Sequence, residues 1–259
     1  MTRRKWSLLV CAGFALTASC GGSASRVEAL SLIQRPVPLL AVAHYSTSGT
    51  FPEISGSGSA STVNKALLGA VLADEQSYAA MAVSEEARVA YVPEAGPGVY
   101  ALTPRSDLMS ASSTVVSALI PALRLFPGGN DGEGWLSTTI DVSSGKSIQI
   151  LDLFEAPAAA LRAIGTSAHA FVMAGNSCVR GEDLYLEQTR QPVPGFSPTG
   201  ANYRYLALTR AGLAVGFPNG QLASPSCGRV EVTIPYKVIA PYLNKVGKSL
   251  VSGVRQPLG

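Results

Sequence analysis

The chain has 259 residues, of which 47% are apolar and 14% are charged, and its formal net charge is +3. This length and apolar content support one large domain or two small lobes around a substantial core. The excess of basic over acidic side chains lies entirely in Arg3, Arg4 and Lys5, so the rest of the chain is neutral and offers no electrostatic footprint for nucleic acid or for anionic lipid.

The first twenty residues have the layout of an export signal. Three basic residues precede the apolar stretch 6–18, which is too short to span a bilayer but suits a signal peptide. Small residues then lead to Cys20, and this arrangement resembles the lipobox of bacterial lipoproteins, where cleavage occurs just before a cysteine that carries lipid. We therefore expect removal of residues 1–19 and lipidation of Cys20, which would hold the protein at the outer face of a bacterial membrane. Thr17 stands where the lipobox usually has Leu, so ordinary signal cleavage is the alternative.

Two further cysteines remain once Cys11 is assigned to the signal and Cys20 to the lipid. Cysteines of exported proteins usually form disulfides. Because two cysteines remain, we expect a disulfide between Cys178 and Cys227. In the loop-entropy model such a bond contributes about 4 kcal/mol to stability. Two reduced, buried thiols are the alternative.

Hydrophobic periodicity and turn residues divide the rest of the chain into predicted elements. Residues 20–36 predict a tether, 51–61 a Gly/Ser loop and 246–259 a tail. Strands are predicted at 37–45, 88–92, 99–103, 112–126, 135–142, 147–150, 203–209, 213–217 and 229–234. Helices are predicted from about 61 to 81, at 157–175 and, as a short helix or turn, at 235–245. This mixture predicts an α+β fold, mainly antiparallel sheet with two principal helices packed on it.

Two blocks of the sequence carry a resemblance to a known family. The first is TIDVSSGK at 139–146, followed by ILDLF at 150–154, and the second is YLALTRAGLAV at 205–215, followed by VEVTIPY at 230–236. In order and spacing they resemble the extracellular domain shared by the anti-sigma factor RsiV, the non-catalytic part of the deacetylase PdaC, and a family of secreted mycobacterial antigens. On this resemblance the domain has an N-terminal half at 37–135 and a C-terminal half at 136–245.

The resemblance also implies a function. RsiV's domain recognises lysozyme and PdaC's domain adjoins a peptidoglycan enzyme. A non-enzymatic binding module of the cell envelope is therefore implied, with a lysozyme-like protein or a peptidoglycan-type ligand and no cofactor. The family often has a Gly-Gly-x-His element before the first block, whereas the stretch PGGNDGEGW at 127–135 contains no histidine. A cryptic hydrolase of envelope glycan or ester, and a structural or immunomodulatory surface antigen, are the alternatives.

Few residues offer catalytic or metal-binding chemistry. His44 and His169 are the only histidines, and both fall in apolar predicted elements, so we expect core or edge positions and predict no catalytic residue. Two histidines so far apart do not supply a zinc site, and we predict no metal. Ser143 and Lys146 have the spacing of a Ser-x-x-Lys motif, but they lie in a predicted turn and not at a helix start.

An acidic, glycine-rich loop is the weak candidate for ligand binding. Asn130, Asp131 and Glu133 supply oxygens that could contact a cation, and Trp135 supplies an aromatic surface for a sugar or a protein. The loop lacks the acidic spacing of an EF-hand, so a solvated turn is the expected structure.

Overall fold

The computed structural model describes residues 31–39, 44–56, 58–89, 96–126, 131–181 and 194–255. They form four layers, in the order long helix, six-stranded sheet, three-stranded sheet and second long helix. The helices are α1 (Ala60–Val89), α2 (Pro157–Gly175), α3 (Tyr236–Ile239) and α4 (Lys245–Arg255). The strands are β1 (Ser31–Pro36), β2 (Tyr45–Ser55), β3 (Gly98–Leu102), β4 (Met109–Ala111), β5 (Val115–Leu125), β6 (Asp131–Asp141), β7 (Tyr205–Leu208), β8 (Leu213–Phe217) and β9 (Val230–Ile234). The predicted α+β class, with mainly antiparallel sheet and two principal helices, is confirmed.

The six-stranded sheet is built around β5. This strand pairs along its whole length with β6, so β3 and β4 share its other edge. Strand β2 pairs in parallel with β3 and antiparallel with β1. The smaller sheet is an antiparallel meander of β7, β8 and β9.

The side chains of β5 alternate between two cores, as the period of a strand requires. Val116, Ala118 and Ile120 are buried in the clusters that contain the inward face of α1, whereas Leu119 is buried against residues of the second sheet. The other face of the second sheet packs on α2 in the largest core cluster. Because both faces of β5 are covered, its sequence is a nearly unbroken apolar run.

Hydroxyl groups join the two sheets where β7 meets the larger one. The Leu208 N–H donates to Ser117 Oγ at 2.9 Å, and Ser110 Oγ donates to the Leu208 carbonyl at 2.5 Å. Ser117 Oγ lies 2.6 Å from Thr139 Oγ1, so one buried chain of hydrogen bonds links β4, β5, β6 and β7. These side chains satisfy backbone groups at the outer edge of β7 that burial would otherwise leave unpaired.

Polar side chains also fix α1 to the larger sheet. The Asp74 carboxylate accepts hydrogen bonds from Arg124 Nη2 at 2.7 and 2.8 Å and from the Tyr100 hydroxyl at 2.7 Å. Glu75, on the next position of α1, is fully buried and accepts a hydrogen bond from the Tyr45 hydroxyl at 3.1 Å. Burial, aided by the Asp74 carboxylate, raises the pKa of the Tyr100 phenol, which therefore remains a protonated donor.

The N-terminal part of the domain differs from the prediction. Ser31–Pro36 forms β1 inside the predicted tether 20–36, and 37–39 has no regular structure where the sequence predicts the first strand. Residues 40–43 lie outside the described part. Strand β2 extends through Phe51–Ser55, which the sequence assigns to a loop. Composition misleads here because β1 is a largely exposed, polar edge strand that is specified by its backbone pairing with β2.

Two other predicted strands are wrong in part. Residues 88–89 of the predicted strand 88–92 belong to α1, and 90–95 lie outside the described residues. In the predicted strand 147–150, Ser147 makes an isolated bridge to Ile140, and Ile150–Leu153 is a 3-10 helix.

The predicted tail is wrong for the part that the structure describes, because Lys245–Arg255 forms α4. Leu250, Val251 and Val254 of α4 are buried in the main core cluster. Glycines make the segment resemble a tail, yet Gly247 has a packing role: a Cβ at this position would lie 2.5 Å from the Leu153 carbonyl oxygen. The end of the chain is therefore part of the core, and 256–259 lies outside the described residues.

We expect Leu250→Ala to lower the free energy of unfolding by about 2–4 kcal/mol, because it leaves a cavity in the core. Val246→Ala on the same helix is the matched control, since Val246 is 57% exposed and Leu250 is 5% exposed. The control should change stability by about 0.5 kcal/mol or less. Urea denaturation of both variants measures the difference, and equal effects would show that α4 does not dock as described.

Candidate functional site

A polar groove of about 430 Å³ lies beside β6, on the side away from β5. It is lined by the middle of β6, by the segment 147–152 and by residues just before and within β7. Its polar lining includes Ser137, Thr139, Ser147, Gln149, Asp152 and Arg204. The groove therefore presents hydroxyl and amide groups with one cation and one anion, a surface suited to a polar ligand.

A tight turn after β6 leads into the segment 147–152, which forms one wall of the groove. The Asp141 carboxylate accepts hydrogen bonds from the Ser143 hydroxyl at 2.5 Å and from the Ser144 N–H at 2.8 Å, and the Ser143 bond holds the pKa of Asp141 below its usual range. Gly145 has a positive φ, +66°, and a Cβ there would lie 2.2 Å from Thr62 Cγ2 of α1. The turn returns the chain along β6 as segment 147–152.

The 3-10 helix Ile150–Leu153 anchors this segment in the core. Ile150, Leu153 and Phe154 are buried in the cluster that contains α2, and Leu151 packs against this cluster while partly buried. Asp152 remains exposed, and its carbonyl accepts a hydrogen bond from Asn244 Nδ2 at 2.8 Å. The wall of the groove is therefore held from below while its polar side chains face outward.

The opposite wall carries a cation at a fixed position. Tyr203 is buried, donates its hydroxyl to the Phe196 carbonyl at 3.1 Å, and has its pKa raised by burial to about 12. The adjacent Arg204 is exposed, and its guanidinium carbon lies 4.7 Å from the centre of the Tyr205 ring. In the described part of the chain, no carboxylate is within ion-pair distance of Arg204. Among the described residues, the groove thus carries a guanidinium that is not held in an ion pair.

The residues that the sequence nominates for ligand binding do not form this site. Asn130 lies outside the described residues, and Asp131 begins β6, so the predicted solvated turn is wrong for Asp131–Glu133. Glu133 forms an ion pair with Arg229 at 3.3 Å. Trp135 is 1% exposed and donates its indole N–H to a β8 carbonyl at 3.1 Å, so it packs in the core and offers no binding surface. No three acidic, histidine or cysteine side chains of the described residues are grouped as a metal site.

The other chemical candidates lie outside the groove. His44 is exposed in the turn before β2 with φ of 57°, and His169 is exposed on α2 with its ring edge-on to Phe196 at 5.0 Å. Neither histidine is therefore in the core. Ser143 and Lys146 lie in the turn that the sequence predicts, and the Ser143 hydroxyl is bonded to Asp141.

The predicted disulfide between Cys178 and Cys227 is confirmed. It joins the short helix 177–181 that follows α2 to the turn Pro225–Cys227 before β9, with 5.7 Å between the two Cα atoms. Such a bond is consistent with an exported protein. Among the helices that the structure describes, none combines the length and the apolar character that crossing a bilayer requires.

The groove residues were not found from the sequence. One signal was present: β6 carries three successive hydroxyl side chains, Ser137, Thr138 and Thr139, between apolar residues. Nothing in the sequence near Arg204 indicates that it lines the groove, because Arg204 comes next to β6 only when the two sheets pack together.

Comparison with known proteins supports the fold. No family model matches the sequence, and no curated protein matches it significantly. A crystal structure of a DUF3298 family member from Bacteroides fragilis aligns with 88% of this chain and 98% of that chain, with a TM-score of 0.52 and 12% identity. A DUF3298 family protein from Pseudomonas aeruginosa aligns over 84% and 95%, with a TM-score of 0.44 and 12% identity. The first likeness shows a shared fold.

Proposed function

We propose that the protein is an exported binding module of the bacterial cell envelope, and that the groove beside β6 binds a peptidoglycan-type ligand. The observation that carries this proposal is the chemistry of the groove. Hydroxyl and amide groups and the Asp152 carboxylate line the groove together with Arg204, which has no ion pair with any described residue. Peptidoglycan combines N-acetyl sugars with short peptides that carry carboxylates, so it offers matching hydrogen-bond partners and charge.

The resemblance to the RsiV and PdaC extracellular domains supports an envelope ligand of this kind. The same resemblance leaves a lysozyme-like protein as a second candidate. Protein interfaces usually bury about 800 Å² per partner around aromatic or apolar anchors. Of the described residues, the large apolar side chains exposed at the surface are Leu39, Met81, Val83, Phe171 and Val246, and none of these lines the groove. The groove therefore favours a small polar ligand over a protein surface.

Binding without catalysis is part of the proposal. A hydrolase of glycan or ester would need a general base or nucleophile at the groove. Neither His44 nor His169 lines it. Asp152 and Arg204 are exposed side chains on different segments of its wall, and they serve in this proposal as ligand contacts.

A lipid on Cys20 would place the groove close to the membrane. Because β1 begins at Ser31, only residues 21–30 would separate the domain from the lipidated cysteine. A fully extended connection of that length reaches at most about 40 Å. The domain would then remain within the envelope layer next to its membrane.

Binding to isolated peptidoglycan tests the function. We expect the chain from Ser23 onward to co-sediment with purified sacculi, and Arg204→Ala to weaken that binding by about tenfold or more. Arg162→Ala removes an exposed arginine from α2, and this matched control should bind as the unchanged protein does. If the unchanged protein is captured by immobilised lysozyme and not by sacculi, the ligand is the protein candidate and the peptidoglycan proposal fails.

Metabolic labelling with a fatty acid tests the anchor. We expect the precursor expressed in a bacterium to incorporate the label and to fractionate with membranes. Cys20→Ala should lose both properties because it removes the only thiol at the cleavage site. A secreted, unlabelled protein with the native cysteine would instead support ordinary signal cleavage.

A further inference from the structure

We infer that the groove binds the peptide part of its ligand: an extended peptide end pairs with the backbone of Ser137 on β6, and its terminal carboxylate contacts Arg204. This inference rests on the proposed function and specifies which part of peptidoglycan is recognised. The peptide is the short stem attached to the glycan, recognised at a free carboxyl end.

The hydrogen-bond directions along β6 show which of its backbone groups face the groove. In an antiparallel strand, backbone groups of alternate residues point toward the same edge. The Thr139 carbonyl accepts a hydrogen bond from the Ile148 N–H at 2.7 Å, and the Glu133 carbonyl accepts one from the Asn219 N–H at 2.8 Å. These two residues therefore point away from β5. Ser137 has the same parity, so its N–H and carbonyl also point away from β5, into the groove.

Between Glu133 and Thr139 on this edge, all of which the structure describes, Ser137 is the one position at which both the N–H and the carbonyl lack a partner. Its two neighbours of the same parity on the N-terminal side are occupied, because the Glu133 carbonyl is bonded and the Trp135 carbonyl accepts from Arg124 Nη2 at 3.2 Å. Thr139 is bonded on the C-terminal side. In the part of the chain that the structure describes, the backbone of Ser137 has no partner of this kind. One ligand residue can therefore pair by strand addition, which suits a short peptide and not a long strand of a protein.

The Arg204 cation lies next to this open backbone position. The Ser137 hydroxyl donates to the Arg204 carbonyl at 3.3 Å, so the two residues are adjacent although 67 positions separate them in the chain. The guanidinium lies over the Tyr205 ring at 4.7 Å, which restricts where it can reach. A planar guanidinium recognises a carboxylate through two parallel hydrogen bonds. A peptide residue paired with Ser137 would thus bring a nearby terminal carboxylate to Arg204.

Calorimetric titration with synthetic ligands tests the inference. The probes are a stem pentapeptide with a free carboxyl terminus, the same peptide with a terminal amide, an all-L peptide of equal length with a free carboxylate, and an N-acetylglucosamine tetrasaccharide. We expect the stem peptide to bind and its amide to bind about tenfold or more weakly. Arg204→Ala should bind the stem peptide with the free carboxylate about as weakly as the unchanged protein binds the amide. For this variant, replacing the carboxylate by the amide should weaken binding little further, because both changes remove the same contact.

A pair of substitutions at Ser137 tests the backbone contact. Ser137→Pro removes the N–H, and proline is tolerated where that group faces away from the neighbouring strand. It should weaken stem-peptide binding about tenfold, whereas Ser137→Ala retains the N–H, removes only the hydroxyl and should weaken binding less than Ser137→Pro does. Thermal unfolding of both variants checks that each is folded. If Ser137→Pro unfolds the protein, the amide probe and Arg204→Ala still decide the carboxylate contact.

The outcomes separate this inference from the proposed function. Absence of binding to whole sacculi overturns the function itself. Binding to sacculi that the tetrasaccharide inhibits and the stem peptide does not inhibit preserves the function and overturns the inference. Tighter binding of the all-L peptide than of the stem peptide also overturns it, and would assign the groove to a protein terminus.

Discussion

The buried hydroxyl chain between the sheets is the interaction on which the rest of this structure depends. Ser110 and Ser117 bond the backbone of Leu208, and Thr139 extends the chain to β6. A buried backbone group without a partner costs about 1–3 kcal/mol, so an apolar surface at these positions would not accept the outer edge of β7. The hydroxyls let a sheet edge pack on a sheet face, and they fix the position of the smaller sheet relative to β6.

The groove is a consequence of that position. Strand β7 is held against β5 and β6, so the residues just before it, including Arg204, lie next to Ser137. The turn stabilised by Asp141 brings the other wall back along the same strand edge. The site is thus assembled from segments that are far apart in sequence and rigidly supported by the core. Rigid support matters for binding because fewer side chains must be ordered when a ligand arrives.

Local sequence patterns predict the bounds of a helix or strand correctly where that element is specified by its own residues. Helix α2 begins at Pro157 and ends at Gly175 as predicted, and β8 spans the predicted 213–217. The predicted elements are wrong where contacts with residues far away in the sequence determine the structure. Strand β1 is polar and is defined by β2, while α4 contains a glycine whose role is close contact with Leu153. The candidate site was missed for the same reason: its cation and its strand edge meet only in the folded protein.

The measurement that most directly tests the central claim is the map of backbone amide chemical shifts when a soluble peptidoglycan fragment is added to the isotope-labelled protein. We expect the largest changes at Ser137, Gln149 and Arg204, with little change on α2. Changes concentrated around Glu133 and Arg229, or on α2, with none along the groove, would contradict it.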